Sequence, residues 1–322
     1  MTRTMAVAVL ALLCACGGAA PAGTVPATTG GTVAPTLPAG ELAVVPIQYR
    51  DDEVAGRMQL EVVNGTADTL HVVAVQFAWA GFTTEVVERQ NAVAPGQRVD
   101  FPVPVPPASC HGDGGDGGDG GDDGNDGDAA MPDVRTAVAR LTLAGGDVRE
   151  VPVFDIRGVA AALYRRDCER QVVASAVTME WTGLARVEVD GRPVTAGALT
   201  LTRGAAAGDV AVLQIGSTIT YLVVPATAAP PATPPAAPPA APLVVLPAGT
   251  TSVSLPVVFE EGRCDAHALA EAKQPFRFVL QVDLGDGIVH PYILEPPAGQ
   301  QEAMRATVFD GCVALGLVEP LG

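Results

Sequence analysis

The second half of the chain repeats the first, and each copy carries two cysteines. Four segments of the first half have counterparts of similar pattern, in the same order, in the second half. The matched pairs are 58–65 with 198–204, 70–75 with 210–215, 95–103 with 247–257, and 140–146 with 280–286. A repeat of this length predicts two domains of one architecture within the 322 residues.

The repeated segments have the pattern of β-strands. Apolar and polar residues alternate over short stretches rich in Val, Leu and Thr, and Gly, Asn or Pro closes each stretch. Roughly seven such stretches per copy suit two packed antiparallel sheets. We therefore predict an all-β chain of two tandem immunoglobulin- or fibronectin-like β-sandwich domains, each with one disulfide. Trp79 and Trp181 stand at different places in the two copies, so the tryptophan of antibody domains has no clear counterpart.

Few segments have a helical pattern. Short helices are expected over 159–166, 267–273 and 300–307, and Asp265 is placed to cap the second of these. Asn64-Gly65 has the composition of a two-residue hairpin turn between strands.

The cysteines can be assigned in part by their position. Two of the six, Cys14 and Cys16, stand at the end of the N-terminal apolar run, and four lie in the repeats. An even number in an exported chain indicates two disulfides, and counting alone leaves three possible pairings. The internal repeat selects one of them: Cys110 with Cys168, and Cys264 with Cys312.

The N-terminus has the pattern of an export signal. Arg3 precedes an apolar run over 5–15, which is shorter than the roughly 20 residues of a membrane-spanning helix. The run ends Leu13-Cys14-Ala15-Cys16, which resembles the lipobox of bacterial lipoproteins. The resemblance implies cleavage before Cys16 and acylation of its thiol, so that the protein is anchored by lipid to the outer face of the cell membrane.

Composition changes along the chain suggest the domain limits. A signal over 1–15 and a flexible Pro/Thr/Gly tether over 16–40 precede a first domain over 41–171 and a second over 172–322. Each domain contains one low-complexity loop that we expect to be disordered. These loops are the Asp/Gly run over 112–128 and the Pro/Ala run over 226–242.

The formal net charge of −17 excludes one class of partner. Nucleic-acid binding needs a basic surface, which so acidic a chain does not offer. Lys273 is the only lysine, and Ala, Gly, Pro and Val are abundant, as in proteins encoded by high-GC genomes. Together with the lipobox and the repeat, this composition resembles uncharacterised actinobacterial secreted lipoproteins.

Two segments carry side chains that could bind a metal ion. In the Asp/Gly loop, the carboxylates of Asp119, Asp122, Asp123 and Asp126 could contact cations, but the spacing is not that of an EF-hand and solvation is the favoured interpretation. The segment Cys264-Asp265-Ala266-His267 has a spacing that zinc could accept, but its cysteine is assigned to a disulfide. We therefore predict neither a metal site nor a cofactor.

The sequence favours a binding role over catalysis. His71 and His290 lie in predicted strands, and no nucleophile, base and orienting group occur in a recognisable catalytic pattern. The hypothesis is a non-catalytic binding or scaffolding module of the cell envelope, with the membrane as one partner through the lipid and an envelope protein or glycan as the other. The alternatives are a substrate-binding lipoprotein for a transporter and, less favoured, a cell-wall hydrolase.

Overall fold

The first domain is a sandwich of two antiparallel sheets followed by a helix. A computed structural model of the chain describes residues 40–110, 131–226 and 241–319. The elements of this domain are β1 (Leu42–Ile47), α1 (Arg50–Val54), β2 (Arg57–Asn64), β3 (Leu70–Trp79), β4 (Phe82–Thr83), β5 (Val87–Val93), β6 (Arg98–Pro104), β7 (Val138–Leu143), β8 (Val148–Pro152) and α2 (Val159–Ala176). Sheet A has the order β1-β2-β6, and sheet B has the order β4-β3-β7-β8, with β5 also paired to β3.

The second domain has the same plan. Its elements are β9 (Val177–Val189), β10 (Arg192–Arg203), β11 (Val210–Ile215), β12 (Tyr221–Pro225), β13 (Val244–Leu246), β14 (Ser252–Glu261), α3 (Ala266–Glu271), β15 (Phe278–Asp283), β16 (Val289–Leu294) and α4 (Ala298–Ala314). Sheet C has the order β12-β14-β10-β9, and sheet D has the order β13-β11-β15-β16.

The internal repeat of the sequence corresponds to equivalent strands in the two domains. The order β1-β2-β6 of sheet A matches β9-β10-β14 of sheet C, and β5-β3-β7-β8 of sheet B matches β13-β11-β15-β16 of sheet D. Each domain buries the inward side chains of its two sheets in a core of its own, around Phe77 and Leu141 in the first and Phe259 and Phe278 in the second. The predicted fold class, two β-sandwich domains with few helices, is confirmed.

Both predicted disulfides are present. Cys110 is bonded to Cys168 of α2 and Cys264 to Cys312 of α4, with Cα–Cα distances of 5.3 and 5.5 Å. The first bond therefore ties the segment after β6 to the closing helix α2, and the second ties the segment after β14 to the closing helix α4. Loops of 58 and 48 residues correspond to about 4 kcal/mol of stabilisation each in the chain-entropy model.

Helix α2 extends further than the sequence pattern indicated. The expected helix ended at residue 166, whereas α2 continues to Ala176 and passes directly into β9. The sequence after Arg166 lacks an amphipathic pattern, because the buried apolar residues of this part of the helix, Val173 and Ala176, come only at its end. Leu163 and Tyr164 belong to the first core and Val173 to the second. The expected domain boundary between 171 and 172 thus falls inside a helix that packs in both domains.

The prediction of a hairpin turn at Asn64-Gly65 is wrong. Strand β2 pairs with β1 and β6, whereas β3 lies in the other sheet, so the chain crosses between sheets at this point. Gly65 is needed for a different reason than turn geometry. A Cβ at this position would overlap the backbone oxygen of Glu41, and one at the equivalent Gly204 would overlap that of Ser175. Both glycines allow the chain to pass close to the start of the strand that opens their domain.

Several predictions fall on parts of the chain that are not described. The signal over 1–15, Cys16 and the tether up to residue 39 lie outside the described residues. So do the Asp/Gly loop with Asp119, Asp122, Asp123 and Asp126, and the Pro/Ala run between 227 and 240. Among the helices of the described residues, none is both long and apolar enough to cross a membrane.

Candidate ligand-binding cleft

A cleft lies between the two domains, with a volume of about 590 Å³. One wall is α2 of the first domain together with the segment that follows β6, and the other is the outer face of sheet D. The described parts of both domains belong to one compact unit. Ligand sites occur preferentially at domain interfaces, and their volumes are typically about 300–1,000 Å³.

One face of α2 lines the first wall. Leu163, Arg166, Asp167 and Arg170 are spaced three or four residues apart, which places them on one side of the helix. The segment from Val105 to Pro107 lies beside them and adds aliphatic surface. This wall therefore presents charged groups of the helix next to an apolar strip.

A polar clamp holds the segment after β6 against α2. Asp167 Oδ2 accepts a hydrogen bond from the backbone N–H of Ala108 at 2.7 Å, and Gln171 Nε2 donates to the carbonyl of Ala108 at 2.9 Å. The disulfide between Cys110 and Cys168 lies next to this clamp in the chain. Three links between the same two segments make the first wall rigid.

The carboxyl group of Asp167 is acidified by this arrangement. Partial burial raises its pKa, but the hydrogen bonds from Ala108 N–H, Arg170 and Gln171 favour the charged form more strongly. The net result is a pKa below the usual value for aspartate. Asp167 is therefore a stable anion of the cleft wall at neutral pH.

The second wall is made by strands β15 and β16. Val279 on β15, and Pro291 and Ile293 on β16, alternate with side chains that point into the core of the second domain. Arg277 comes just before β15, and Glu295 comes just after β16. This wall therefore combines an aliphatic sheet face with one ion pair, which lies beside β16, the edge strand of sheet D.

The three arginines of the cleft are neutralised to different degrees. Arg170 donates two hydrogen bonds to Asp167 Oδ1, at 2.7 and 2.9 Å. Arg166 reaches Glu53 only at 3.4 Å, and Arg277 lies 3.6 Å from Glu295. The Arg277 side chain is only 18% exposed, yet it makes no hydrogen bond with any described residue. Arg277 is thus the most buried and the least satisfied cation of the cleft.

The two domains also touch at a polar junction. Gln274 Nε2 donates to Glu53 at 2.9 Å, and Lys273 Nζ lies 3.7 Å from Asp51. Glu53 receives both Gln274 from the second domain and the cleft residue Arg166 from α2. The junction therefore links the position of Arg166 to the contact between the domains.

His71, His267 and His290 do not line the cleft. His267 is exposed and lines a separate, shallow depression near Tyr49 and Lys273. His71 is exposed on β3, and buried His290 lies 2.8 Å from Asp286 Oδ2. The predicted helix cap is confirmed, because Asp265 Oδ1 accepts the N–H of Ala268 at 2.8 Å. Within the described ranges no three His, Cys, Asp or Glu side chains are grouped as metal ligands would be.

Sequence reasoning missed the residues that line the cleft. A signal existed in Arg165-Arg166-Asp167-Cys168-Glu169-Arg170, where three arginines surround a disulfide cysteine in an otherwise acidic chain. The residues of the second wall give no such signal in the sequence, because Val279 and Ile293 have the pattern of ordinary outward positions of a strand.

Comparisons with known proteins give no functional assignment. No protein-family model matches the sequence, and no curated protein matches it significantly. A protein of unknown function from Porphyromonas gingivalis W83 is 12% identical with a TM-score of 0.20, over 80% of this chain and 96% of that chain. The exo-chitosanase CsxA of Amycolatopsis orientalis is 13% identical with a TM-score of 0.16, over 78% of this chain and 26% of that chain. Similarities this weak support no argument about fold or activity.

Proposed function

We propose that the protein is a cell-envelope lipoprotein that acts as a non-catalytic binding module, and that its ligand binds in the cleft between the two domains. The observation that supports this most is the composition of the cleft. Aliphatic side chains cover both walls, and a small number of charged groups stand among them. This is the usual lining of a site that recognises a ligand rather than a plain packing interface.

The walls are preorganised. Helix α2 is packed into both cores, and the segment after β6 is held to it by a disulfide and two hydrogen bonds. A site that is rigid before binding loses less conformational entropy when the ligand arrives. Rigidity of this kind suits a protein whose role is to hold a partner.

The proposed location rests on the sequence and on the disulfides. The segment Leu13 to Cys16 resembles a lipobox, and two disulfides are typical of proteins that fold in an oxidising compartment. Lipid on Cys16 would attach the chain to the membrane, and the tether would extend the cleft toward other envelope components. An envelope protein or glycan is then the expected partner.

A transporter-feeding lipoprotein is the second candidate, because such proteins also bind substrate between two lobes. That role requires hinge closure around the substrate. Here the connection between the domains is a continuous helix that passes directly into β9. We therefore favour the static binding module.

Site-specific photo-cross-linking in intact cells tests the proposal. A benzophenone side chain at Ile293 lies in the cleft, and one at Ile288, which is 58% exposed, lies outside it and serves as the control. We expect a reproducible cross-linked envelope species from position 293 that is missing from position 288. Identical products at both positions, or none at position 293 in folded protein, would contradict the proposal.

A further inference from the structure

We propose that the ligand of the cleft is an aliphatic carboxylate, a molecule with one terminal carboxylate on an aliphatic body. The carboxylate would be bound by Arg277 with help from the arginines of α2, and the body would lie on the aliphatic walls. This inference rests on the proposed function, because it assigns a ligand class to the same cleft.

Arg277 has few partners in the cleft. A guanidinium offers five N–H donors, and the side-chain nitrogens of Arg277 stay accessible to solvent, so a ligand that enters the cleft can reach them. Arg277 has one carboxylate at 3.6 Å and no hydrogen bond with the described residues. A ligand carboxylate would supply two acceptor oxygens in the bidentate geometry that guanidinium groups favour.

The charge balance of the cleft sets the charge of the ligand. Each of the three cleft arginines has one carboxylate within 4 Å, and these are Glu53 for Arg166, Asp167 for Arg170 and Glu295 for Arg277. Only Arg170 makes short hydrogen bonds to its carboxylate, so the guanidinium groups of Arg166 and Arg277 keep donors for a ligand anion. These donors disfavour a cationic ligand, and because the arginines are already balanced by carboxylates, a monoanion fits better than a polyanion.

The apolar lining sets the chemistry of the ligand body. The apolar side chains of the cleft are all aliphatic or proline, and they are Val105, Pro106, Pro107, Leu163, Val279, Pro291 and Ile293. No aromatic ring is among the lining residues, so the walls offer no stacking partner for a flat ring. Binding to these walls is therefore favoured by burial of the aliphatic surface of the ligand.

Two sources share this chemistry: the C-terminus of a short peptide with aliphatic side chains, and a free fatty acid. The test is isothermal titration calorimetry of the full-length lipidated protein in nanodiscs, with empty nanodiscs as the blank. The probes are two matched pairs, N-acetyl-Ala-Ala-Leu as acid and as amide, and octanoate with octanamide. Each amide keeps the aliphatic body and removes only the charge.

We expect one acid to bind at least about tenfold more tightly than its amide, as for the loss of a charge-assisted hydrogen-bond pair. Arg277→Gln should abolish this preference. Arg305→Gln, on the exposed side of α4 and outside the cleft, should retain it. If Arg277→Gln does not fold, Arg166→Gln should weaken the preference, since that side chain is more exposed and also lines the cleft.

The possible outcomes distinguish a peptide C-terminus from a fatty acid as the ligand. They also distinguish a wrong ligand class from a wrong proposed function. Preference for the peptide acid identifies a peptide C-terminus, and preference for octanoate identifies an acyl ligand. Equal binding of acid and amide in both pairs, no binding in either pair, or a preference that survives both cleft-arginine substitutions would overturn the inference. Cross-linking from Ile293 would remain positive in those cases if only the ligand class is wrong, and the proposed function would then stand.

Discussion

Asn64 and Arg203 occupy equivalent positions in the two domains, and each donates a hydrogen bond to the carbonyl of the residue that ends an edge strand. Asn64 Nδ2 donates to Val93 O at 2.8 Å, and Arg203 donates from Nη2 to Leu246 O at 3.0 Å. Val93 ends β5 and Leu246 ends β13, which are equivalent strands. Two different side chains thus satisfy the same buried acceptor, which shows that the repeat retains a structural requirement rather than a residue type.

Replacing Asn64 should destabilise the first domain. The side chain is fully buried, donates to the carbonyls of Val93 and Asp68, and accepts the N–H of Thr66. Asn64→Ala leaves these groups unpaired, and we expect a loss of about 1–3 kcal/mol in the free energy of unfolding. Urea unfolding followed by tryptophan fluorescence measures this loss. In a Trp181→Phe background the signal comes from Trp79 alone, which lies in the first core.

Asn91→Ala is the matched control for this substitution. Asn91 is exposed, and its side chain accepts only the N–H of the next residue. We expect a change within about 0.5 kcal/mol. Equal losses from the two asparagine substitutions would refute the role assigned to Asn64.

Two glycines of α4 should respond to alanine in opposite directions. A Cβ at Gly311 would overlap Oε1 of Glu261, a buried carboxylate whose other oxygen is paired with Arg192 at 2.9 Å. Gly311→Ala should therefore destabilise the second domain by about 1–3 kcal/mol. Gly299→Ala meets open space and should be neutral or stabilising by up to about 1 kcal/mol. Thermal unfolding checks both, and a tolerated alanine at 311 would show that the helix does not lie so close to Glu261.

The stability contributed by Asp167 should depend on pH. Because its pKa is lower in the folded than in the unfolded chain, its contribution is complete above the unfolded value, about 4, and is lost as pH falls through the folded value. Asp167→Asn should reduce the free energy of unfolding at neutral pH by about 1–2 kcal/mol. The difference from wild type should shrink at about pH 3. Exposed Glu169 on the same helix is the control, and Glu169→Gln should change the free energy of unfolding at neutral pH by less than about 0.5 kcal/mol.

The proposed anchor predicts different behaviour for two neighbouring cysteines. Cys16→Ala removes the acylated thiol and should release the protein into the medium, because membrane attachment depends on the acyl chains. Cys14→Ala changes a residue that leaves with the signal, so the protein should stay with the membranes. Fractionation of cells and medium distinguishes them, and a membrane-bound Cys16→Ala protein would refute the lipobox assignment.

The sheets and the disulfides were predictable because strand patterns are local and recur. Alternation with a period of two marks each strand by itself, and the second copy of the pattern selects the cysteine pairing. The Asn64-Gly65 turn was misjudged because composition does not reveal which strand the next segment pairs with. Gly65 and Gly204 are both required by a close approach to backbone that is about 25–30 residues earlier in the chain.

The cleft was not predictable because its walls come from distant parts of the chain. Arg166 and Arg277 are separated by more than a hundred positions in the sequence, and the helix that carries Arg166 is longer than its pattern suggested. Val279 and Ile293 have the alternation of any exposed strand face. Only the packing of α2 beside sheet D gives these residues a common environment.

Blocking the cleft tests directly whether the ligand binds there. Val279, 38% exposed, lines the cleft on sheet D, and Val289, 49% exposed, lies on the same face outside it. A tryptophan at either outward position leaves the core unchanged, so the measurement is the amount of envelope partner recovered with each variant by cross-linked pull-down from native membranes. We expect Val279→Trp to lose the partner and Val289→Trp to retain it at the wild-type level. Retention by a folded Val279→Trp protein would show that the partner does not bind in the cleft.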